Sequence, residues 1–299
     1  MSIELIIGIL NIVLISTTPL VFAGIGELVT EKSGVLNLGL EGLMLVGAVT
    51  GFITLVLTGN YFYSLFLSII SGVILSGIFA FLVLNLMTNQ IATGLALTIF
   101  GIGLSAMLGK KFGGTPIDGL NPYYFIVISF LLVFFVAYFL SKTKTGLIVR
   151  AVGENHNSAY ALGYNVIKTR YLTIIFGGVM SSLAGYYISI CYAPMWQEGM
   201  TAGRGWIALA LVVFATWKPW RLLVGAYIFG GVAIMQMNLQ AIGVKLPGQF
   251  FNMMPYLATI IVLVFISSNK LRLKLLSLIH ISEPTRRRGI SYAVLCLKK

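Results

Sequence analysis

The chain has 299 residues, of which 58% are hydrophobic and only 9% are charged, whereas soluble domains carry about 25% charged residues. Its apolar runs are too long and too continuous for barrel strands, so the composition excludes a soluble enzyme and predicts an all-α integral membrane protein, a polytopic helical bundle. The net charge of +12 does not indicate nucleic-acid binding, because the basic residues lie mostly between the apolar runs, as the positive-inside rule requires.

A helix needs about 20 apolar residues to cross the hydrocarbon core of a membrane. On that basis we expect about nine transmembrane helices, within a range of about eight to ten. The candidates are residues 4–26, 35–57, 62–85, 90–108, 123–140, 171–192, 204–217, 222–242 and 254–268. The span 204–217 is short for a complete crossing, so it either is a half-helix or begins before Arg204.

The long connector at residues 141–170 orients these spans. Its charged residues are five bases and one acid: Lys142, Lys144, Arg150, Lys168, Arg170 and Glu154. Because positive charge is retained on the cytoplasmic side, the connector is predicted to be cytoplasmic, with the N-terminus outside and the C-terminus inside. The pair Lys110 and Lys111 argues against this orientation, and one missed span would reverse the side of the N-terminus.

The first polar constellation lies at residues 17–48, where Pro19, several glycines and three glutamates interrupt apolar sequence. Asn37 and Glu41 are spaced i,i+4 and would share one face of a helix. Ionisable groups within a span usually face a bundle interior or a water-filled cavity. The two residues therefore either line a transport pathway or cap and cross-link helices near the cytoplasmic end of the span.

Two further constellations follow in the C-terminal half. Glu198 and Arg204 lie among helix-breaking residues at 193–206. They either form an ion pair or contact a partner on the outer face. The alternative is that this segment only anchors the chain at the membrane interface through its tryptophans. Gln236 and Gln240 share one helical face near the outer end of a span. Amides there suit substrate hydroxyls in a pathway, but they also join helices by hydrogen bonds.

Several kinds of chemistry find no support in the sequence. No connector is long enough for a soluble catalytic domain, and no phosphate-binding loop of the G-x-x-x-x-G-K-[ST] type is present. The two cysteines and two histidines form no metal-ligand cluster. We therefore predict a non-enzymatic protein with no catalytic residues, no metal and no cofactor.

Three motifs resemble one family. GELVTEKSGVLNLGLEGLMLVGAV at 26–49, RAVGENHNSAYALGYNV at 150–166 and TAGRGWIALALVVFATWK at 201–218 are similar to the permeases of ABC importers for simple sugars and nucleosides. The second motif departs mildly, with His156, Tyr160 and Tyr164 where Pro, Ala and Ile are usual. The resemblance covers residues 1–275.

The resemblance implies that residues 150–166 form a coupling helix that docks on a separate ATPase subunit. The residues assigned to this coupling are Arg150, Gly153, Glu154, Asn155, Ala159 and Gly163. Small side chains would let the helix approach its partner, and Asn155 or Asn157 would cap it.

The same resemblance implies a cell-membrane location and transport of a nucleoside or a simple sugar. The implied partners are an ABC ATPase, a second and unlike permease forming a heterodimer, an extracytoplasmic substrate-binding protein or lipoprotein, and membrane lipid. The alternative is a stand-alone ion-coupled transporter or channel, which needs buried ionisable residues; Glu41 is the one clear candidate.

The last residues, 276–299, do not resemble a membrane protein. LSLIHISEPTR at 276–286 and ISYAVLCLKK at 290–299 resemble translated sequencing-adapter DNA, with Leu295 where Phe is expected. We therefore expect a permease domain at 1–275 followed by a non-native tail. The competing interpretation is a basic amphipathic tail at the membrane surface.

Overall fold

The computed structural model describes residues 3–241 together with Met253 and Leu257. Within this part the chain is helical, as predicted for an all-α membrane protein. The helices are α1 (Ile3–Lys32), α2 (Leu40–Thr58), α3 (Tyr61–Leu84), α4 (Gln90–Gly109), α5 (Pro122–Lys142), α6 (Lys144–Glu154), α7 (His156–Ala161), α8 (Val166–Tyr187), α9 (Arg204–Phe214) and α10 (Pro219–Ala241).

Among the described residues, six helical stretches are long and apolar enough to cross a membrane. They are Ile7–Lys32, Leu40–Thr58, Tyr61–Leu84, Gln90–Phe112, Pro122–Lys142 and Val166–Tyr192. The predicted number of about nine is not confirmed. Helix α9 is too short to cross, α10 runs into residues outside the described part, and the predicted span 254–268 lies beyond it apart from one residue.

Three predicted boundaries are wrong. The span predicted at 4–26 continues as helix to Lys32, and the other two differ for local reasons. The span predicted at 35–57 begins at Leu40, because residues 33–39 are not helical. Asn37 and Glu41 consequently do not share a helix face. The span predicted to begin at residue 171 begins at Val166, where the side chain of Asn165 accepts a hydrogen bond from Lys168 N at 2.9 Å and caps the helix.

Helix α8 lies at the centre of the bundle and packs against α1, α2 and α3. Small residues allow these backbones to approach closely, as is typical of helix packing in membranes. The hydroxyl of Ser68 in α3 contacts both Gly47 O at 2.9 Å and Ser182 O at 3.3 Å, tying three helices together. By contrast, α4 exposes large apolar side chains such as Ile99, which suits contact with lipid.

A second non-helical segment, residues 193–203, follows α8 and a π-helical turn at Ile188–Tyr192. It begins beside the connector between α4 and α5, where Ile117 N donates to Pro194 O at 3.2 Å. Trp196 is 2% exposed and packs against Phe52. This tryptophan therefore belongs to the core and is not an interfacial anchor.

Candidate functional site

Residues 33–39 form an irregular segment that enters the bundle. Thr98 Oγ1 donates to Leu38 O at 2.8 Å, and Gly39 lies against Leu97. These partners lie seven and eight residues after the start of α4, which at 1.5 Å per residue is about 10 Å from its end. At membrane depth, non-helical backbone is tolerated only where protein buries it or where it lines a water-filled cavity.

Side chains from three helices satisfy the backbone of this segment. Leu36 N donates to Gln90 Oε1 at 3.0 Å and Asn37 N donates to Glu27 Oε1 at 2.9 Å. Arg170 Nε donates to Ser33 O at 3.2 Å. A buried carbonyl or amide group left without a partner costs about 1–3 kcal/mol, so these polar side chains explain how the helix can be interrupted here.

Glu41, at the start of α2, joins this region to the second irregular segment. Its Oε1 accepts hydrogen bonds from Thr201 Oγ1 at 2.5 Å and from Gly203 N at 2.9 Å, and its Oε2 accepts one from Gly205 N at 2.7 Å. The carboxylate is thus placed at the N-terminus of α9, where free amide groups and the helix dipole favour negative charge.

Helix α9 is a half-helix, one of the two alternatives that its short predicted span left open. Its 11 residues extend about 16 Å, against about 30 Å for the hydrocarbon core. The helix runs from the level of Glu41 toward the end of α1, where Trp217 Nε1 donates to Glu31 Oε2 at 2.5 Å. Two irregular segments and a half-helix therefore meet around buried carboxylates.

The four predicted pathway residues have different positions in this arrangement. Asn37 and Glu41 are 2% and 6% exposed, and both use side-chain oxygens to hold backbone amides; Asn37 Oδ1 accepts from Gly39 N at 2.8 Å. Gln236 and Gln240 lie in the last turns of α10, and their side chains fall outside the described part of the chain.

The predicted outer-face residues Glu198 and Arg204 are not brought together. Glu198 is exposed in the segment 193–203. The guanidinium of Arg204 lies over the ring of Tyr192, 4.6 Å from its centroid. No ion pair joins Glu198 to Arg204 in the described structure.

The loop 141–170 contains two short helices with clear caps. Thr143 Oγ1 accepts from Gly146 N at 3.0 Å at the start of α6. Asn155 Oδ1 accepts from Ser158 N at 3.1 Å, so Asn155 and not Asn157 caps α7. Helix α7 ends at Ala161, and the turn after it passes through Gly163, whose φ of 87° is in the left-handed region that glycine adopts without strain.

The three small residues assigned to docking differ in exposure: Gly153 and Ala159 are buried and Gly163 is exposed. Ala159 is 1% exposed and faces the chain's own interior, so the expectation that it contacts a partner directly is wrong. Tyr160 and Leu162 are instead 75% and 74% exposed, and Tyr164 is also exposed. The outward surface of α7 and its C-terminal turn consequently presents three large aromatic or aliphatic side chains beside the exposed polar residues Asn157 and Ser158.

Arg150 and Glu154 are the two charged residues among those assigned to the coupling. No hydrogen bond or ion pair links the two side chains in the part of the chain that the structure describes. Arg150 Nε is instead buried without a hydrogen-bond partner. The loop is held by apolar packing of α6, whose Val149 and Val152 are buried, and by the capping residues.

Helix α6 touches the irregular segment 33–39 backbone to backbone. A Cβ atom added at Gly153 would lie 2.1 Å from Lys32 O and 3.2 Å from Gly34 N. No side chain fits at this position without movement of one of the two segments. Loop 141–170 and segment 33–39 are therefore in direct mechanical contact.

Sequence reasoning missed Gln90, Thr98 and Thr201 as supporting residues. Gln90 begins the apolar run 90–108 and Thr98 lies inside it, and neither belongs to a quoted motif. Thr201 opens the motif at 201–218, but the motif alone gave it no supporting role. A usable signal was the glycine pair Gly34 and Gly39, because a helix broken between them needs side-chain partners for its backbone.

These features define a class of protein: a multi-pass membrane protein with broken helices in its bundle. Its polar loop at 141–170 exposes the large side chains of Tyr160, Leu162 and Tyr164. The sequence matches the family described as branched-chain amino acid transport system / permease component over residues 9–263. The chain belongs to this family and is an integral protein of the cell membrane.

Curated relatives support the same assignment. The chain is 40% identical over 262 residues to the putative glucose ABC transporter permease protein TsgC13 of Haloferax volcanii, covering 80% of each chain. It is 30% identical to the nucleoside ABC transporter permease protein NupC of Lactococcus lactis, covering 84% of this chain and 89% of that protein.

A third relative is the guanosine ABC transporter permease protein NupQ of Bacillus subtilis, 29% identical over 86% of this chain and 92% of that protein. No solved structure matches the chain. The relatives support the permease interpretation over a stand-alone ion-coupled transporter.

Proposed function

We propose that the chain is the membrane-embedded permease subunit of an ABC importer that moves a nucleoside or a simple sugar into the cell. The observation that carries this proposal is the direct contact between loop 141–170 and the broken segment 33–39 at Gly153. A permease driven by a partner needs such a connection between its cytoplasmic surface and its transport pathway. ATP hydrolysis belongs to a separate ATPase subunit.

The docking surface for this ATPase is the exposed side of α7 and its C-terminal turn. Tyr160, Leu162 and Tyr164 project from a loop whose ends carry positive charge. Exposed aromatic and aliphatic side chains in such a position favour a protein partner, because burying them on docking removes apolar area from water. Asn155 and Gly163 shape this helix, and Ala159 seats it against the bundle.

Movement of α7 would pass to the pathway through two contacts and the chain segment that joins them. Helix α6 contacts Lys32 and Gly34 at Gly153. Segment 33–39 leads into the start of α2, where Glu41 binds the N-terminus of α9. A displacement of α6 therefore reaches both irregular segments without passing through a flexible linker.

We place the pathway along these segments. Asn37 and Glu41 shape it by holding backbone in position, since their oxygens already accept hydrogen bonds from the chain itself. Gln236 and Gln240 remain our candidates for direct contact with substrate hydroxyls. Glu198, exposed in segment 193–203, and Arg204 near it are our candidates for the outer face, where a substrate-binding protein would dock.

The transporter is completed by a second, unlike permease. Co-purification of the native complex tests this assembly together with the ATPase contact. We expect the ATPase subunit to co-purify with the wild-type chain and to be lost from a Leu162→Asp variant, whose exposed position should leave folding intact. Lys168→Asp, an exposed change in the same loop outside α7, is the control. Retention of the ATPase by Leu162→Asp would contradict docking on α7.

The substrate class needs a separate measurement. Thermal unfolding of the partner binding protein in the presence of nucleosides and of simple sugars should show stabilisation by one class, because a ligand that binds only the folded state raises its unfolding temperature. Stabilisation by neither class would contradict the proposed substrates and leave the permease assignment intact.

A further inference from the structure

A cavity of about 520 Å³ opens at the end of the bundle where α1 and α5 finish. Four bases line it, namely Lys32, Lys142, Arg150 and Lys218, and none of its described lining residues is acidic. The bases come from α1, α5, α6 and the turn between α9 and α10. The fold therefore gathers positive charge from four separate parts of the sequence around one space.

This charge is poorly compensated by the chain. Arg150 Nε is buried without a hydrogen-bond partner, and none of the four bases forms an ion pair with a described residue. Two neighbouring acids, Glu154 and Glu31, act on Lys32 through space, and Lys32 Nζ lies 5.9 Å from the centroid of the Trp217 ring. Glu31 also accepts a hydrogen bond from Trp217. Lys142 and Lys218 are exposed, and Lys32 and Arg150 are half-buried. The costly group is therefore the unpartnered Nε of Arg150, and with three further bases around the same space the cavity is suited to an anion.

The other end of the cavity is aromatic. Phe134 and Tyr138 of α5, together with Trp220 of α10, line it, and each is more than half exposed. Phe134 precedes Lys142 by eight residues, or about 12 Å along the helix. Exposed aromatic side chains next to a basic cluster at the end of a span are typical of the membrane–water interface. The cavity thus has a cationic end and an apolar end.

We propose that this cavity binds an anionic phospholipid, with the headgroup phosphate among the four bases and the start of an acyl chain along Phe134 and Trp220. Basic pockets between membrane helices hold anionic headgroups in this way. A soluble phosphate would use only the cationic end and leave the aromatic end unfilled. The lipid bridges α1, α5, α6 and the turn before α10, and it holds Arg150 at the start of the 150–166 segment.

Lipid binding to the purified full-length chain tests the proposal. Native mass spectrometry would follow titration with phosphatidylglycerol, with phosphatidylcholine as the uncharged-headgroup comparison. The double variant Lys142→Gln/Lys218→Gln should bind phosphatidylglycerol about 25-fold more weakly, taking about fivefold for each base lost. The matched variant Lys144→Gln/Lys168→Gln removes the same charge from exposed positions outside the cavity and should bind almost as well as wild type. An equal loss in both variants would overturn the proposal.

Two further arms separate lipid from soluble phosphate. Phosphatidylglycerol with brominated acyl chains should quench tryptophan fluorescence in the wild-type chain. Trp220→Phe should reduce that quenching, and the remainder should include Trp217, which lines the same cavity. Inorganic phosphate at equal concentration should not displace the lipid. Displacement by phosphate, or quenching unchanged by Trp220→Phe, would show that a lipid chain does not occupy the aromatic end.

Discussion

The centre of the bundle and the loop 141–170 differ in which side chains they bury and which they expose. Around Glu41 the polar groups are buried and hydrogen-bonded within the chain. On α7 the apolar groups Tyr160 and Leu162 are exposed. The central contacts are therefore satisfied within the chain and maintain a broken fold, whereas the described residues leave these loop side chains uncovered.

The largest effect is expected at the centre. Glu41→Ala would leave the Thr201 hydroxyl and the amides of Gly203 and Gly205 without their acceptor, and each such group costs about 1–3 kcal/mol. The free energy of unfolding should fall by at least about 3 kcal/mol, measured by denaturant titration in detergent. Glu198→Ala, at an exposed acid, should change it by less than about 0.5 kcal/mol. Equal stability of the two variants would contradict a central role for Glu41.

The contact between the two regions comes next. Gly153→Ala places a Cβ atom 2.1 Å from Lys32 O, so α6 or segment 33–39 must shift at a cost of about 1–3 kcal/mol. We expect lower stability and impaired transport. Gly103→Ala is the control, because nothing lies within 4 Å of its added Cβ; it should be neutral or stabilising by up to about 1 kcal/mol. Full transport by Gly153→Ala would argue against coupling through this contact.

Ala159 and Ala161, two alanines of α7, test which face of this helix packs against the chain and which face is free for a partner. Ala159→Leu overpacks a position that is 1% exposed and should lower stability by about 1–3 kcal/mol. Ala161→Leu changes an exposed position and should leave stability within about 0.5 kcal/mol while weakening ATPase binding. Thermal unfolding and an ATPase-binding assay, run on both variants, distinguish the outcomes. The assignment of inner and outer faces fails if the two variants behave alike.

The smallest effect is expected where α7 ends. Gly163 has a φ of 87°, and Gly163→Ala should destabilise this turn by about 1 kcal/mol or somewhat more. Gly163→Asn should cost less, because asparagine enters the left-handed region more readily than alanine. Hydrogen exchange at the amides of α7 measures the change locally. Unaltered protection in Gly163→Ala would show that the turn does not depend on this conformation.

Hydropathy predicted much of the fold. Spans such as 62–85 and 90–108 lie within one residue of α3 and α4, because long apolar runs bounded by asparagine caps leave little choice. Hydropathy did not predict the break at 33–39, since Val35, Leu36 and Leu38 are as apolar in an irregular segment as in a helix. The break depends on partners such as Gln90, which come from elsewhere in the sequence.

The candidate site was predictable in outline and not in detail. The motif at 150–166 identified the loop and left Asn155 and Asn157 as alternative caps, of which the structure shows Asn155. It also suggested that Ala159 faces a partner, because small residues suit close packing of any kind, and composition does not say on which side the packing occurs. The structure separates buried Ala159 from exposed Leu162.

We propose that ATP drives transport by this chain through a partner that docks on α7. Substrate uptake by proteoliposomes containing the whole complex tests it most directly, with ATP or a proton gradient supplied separately. We predict uptake that requires ATP and continues in the presence of a protonophore. Uptake that proceeds without ATP and stops when the proton gradient is dissipated would contradict this account.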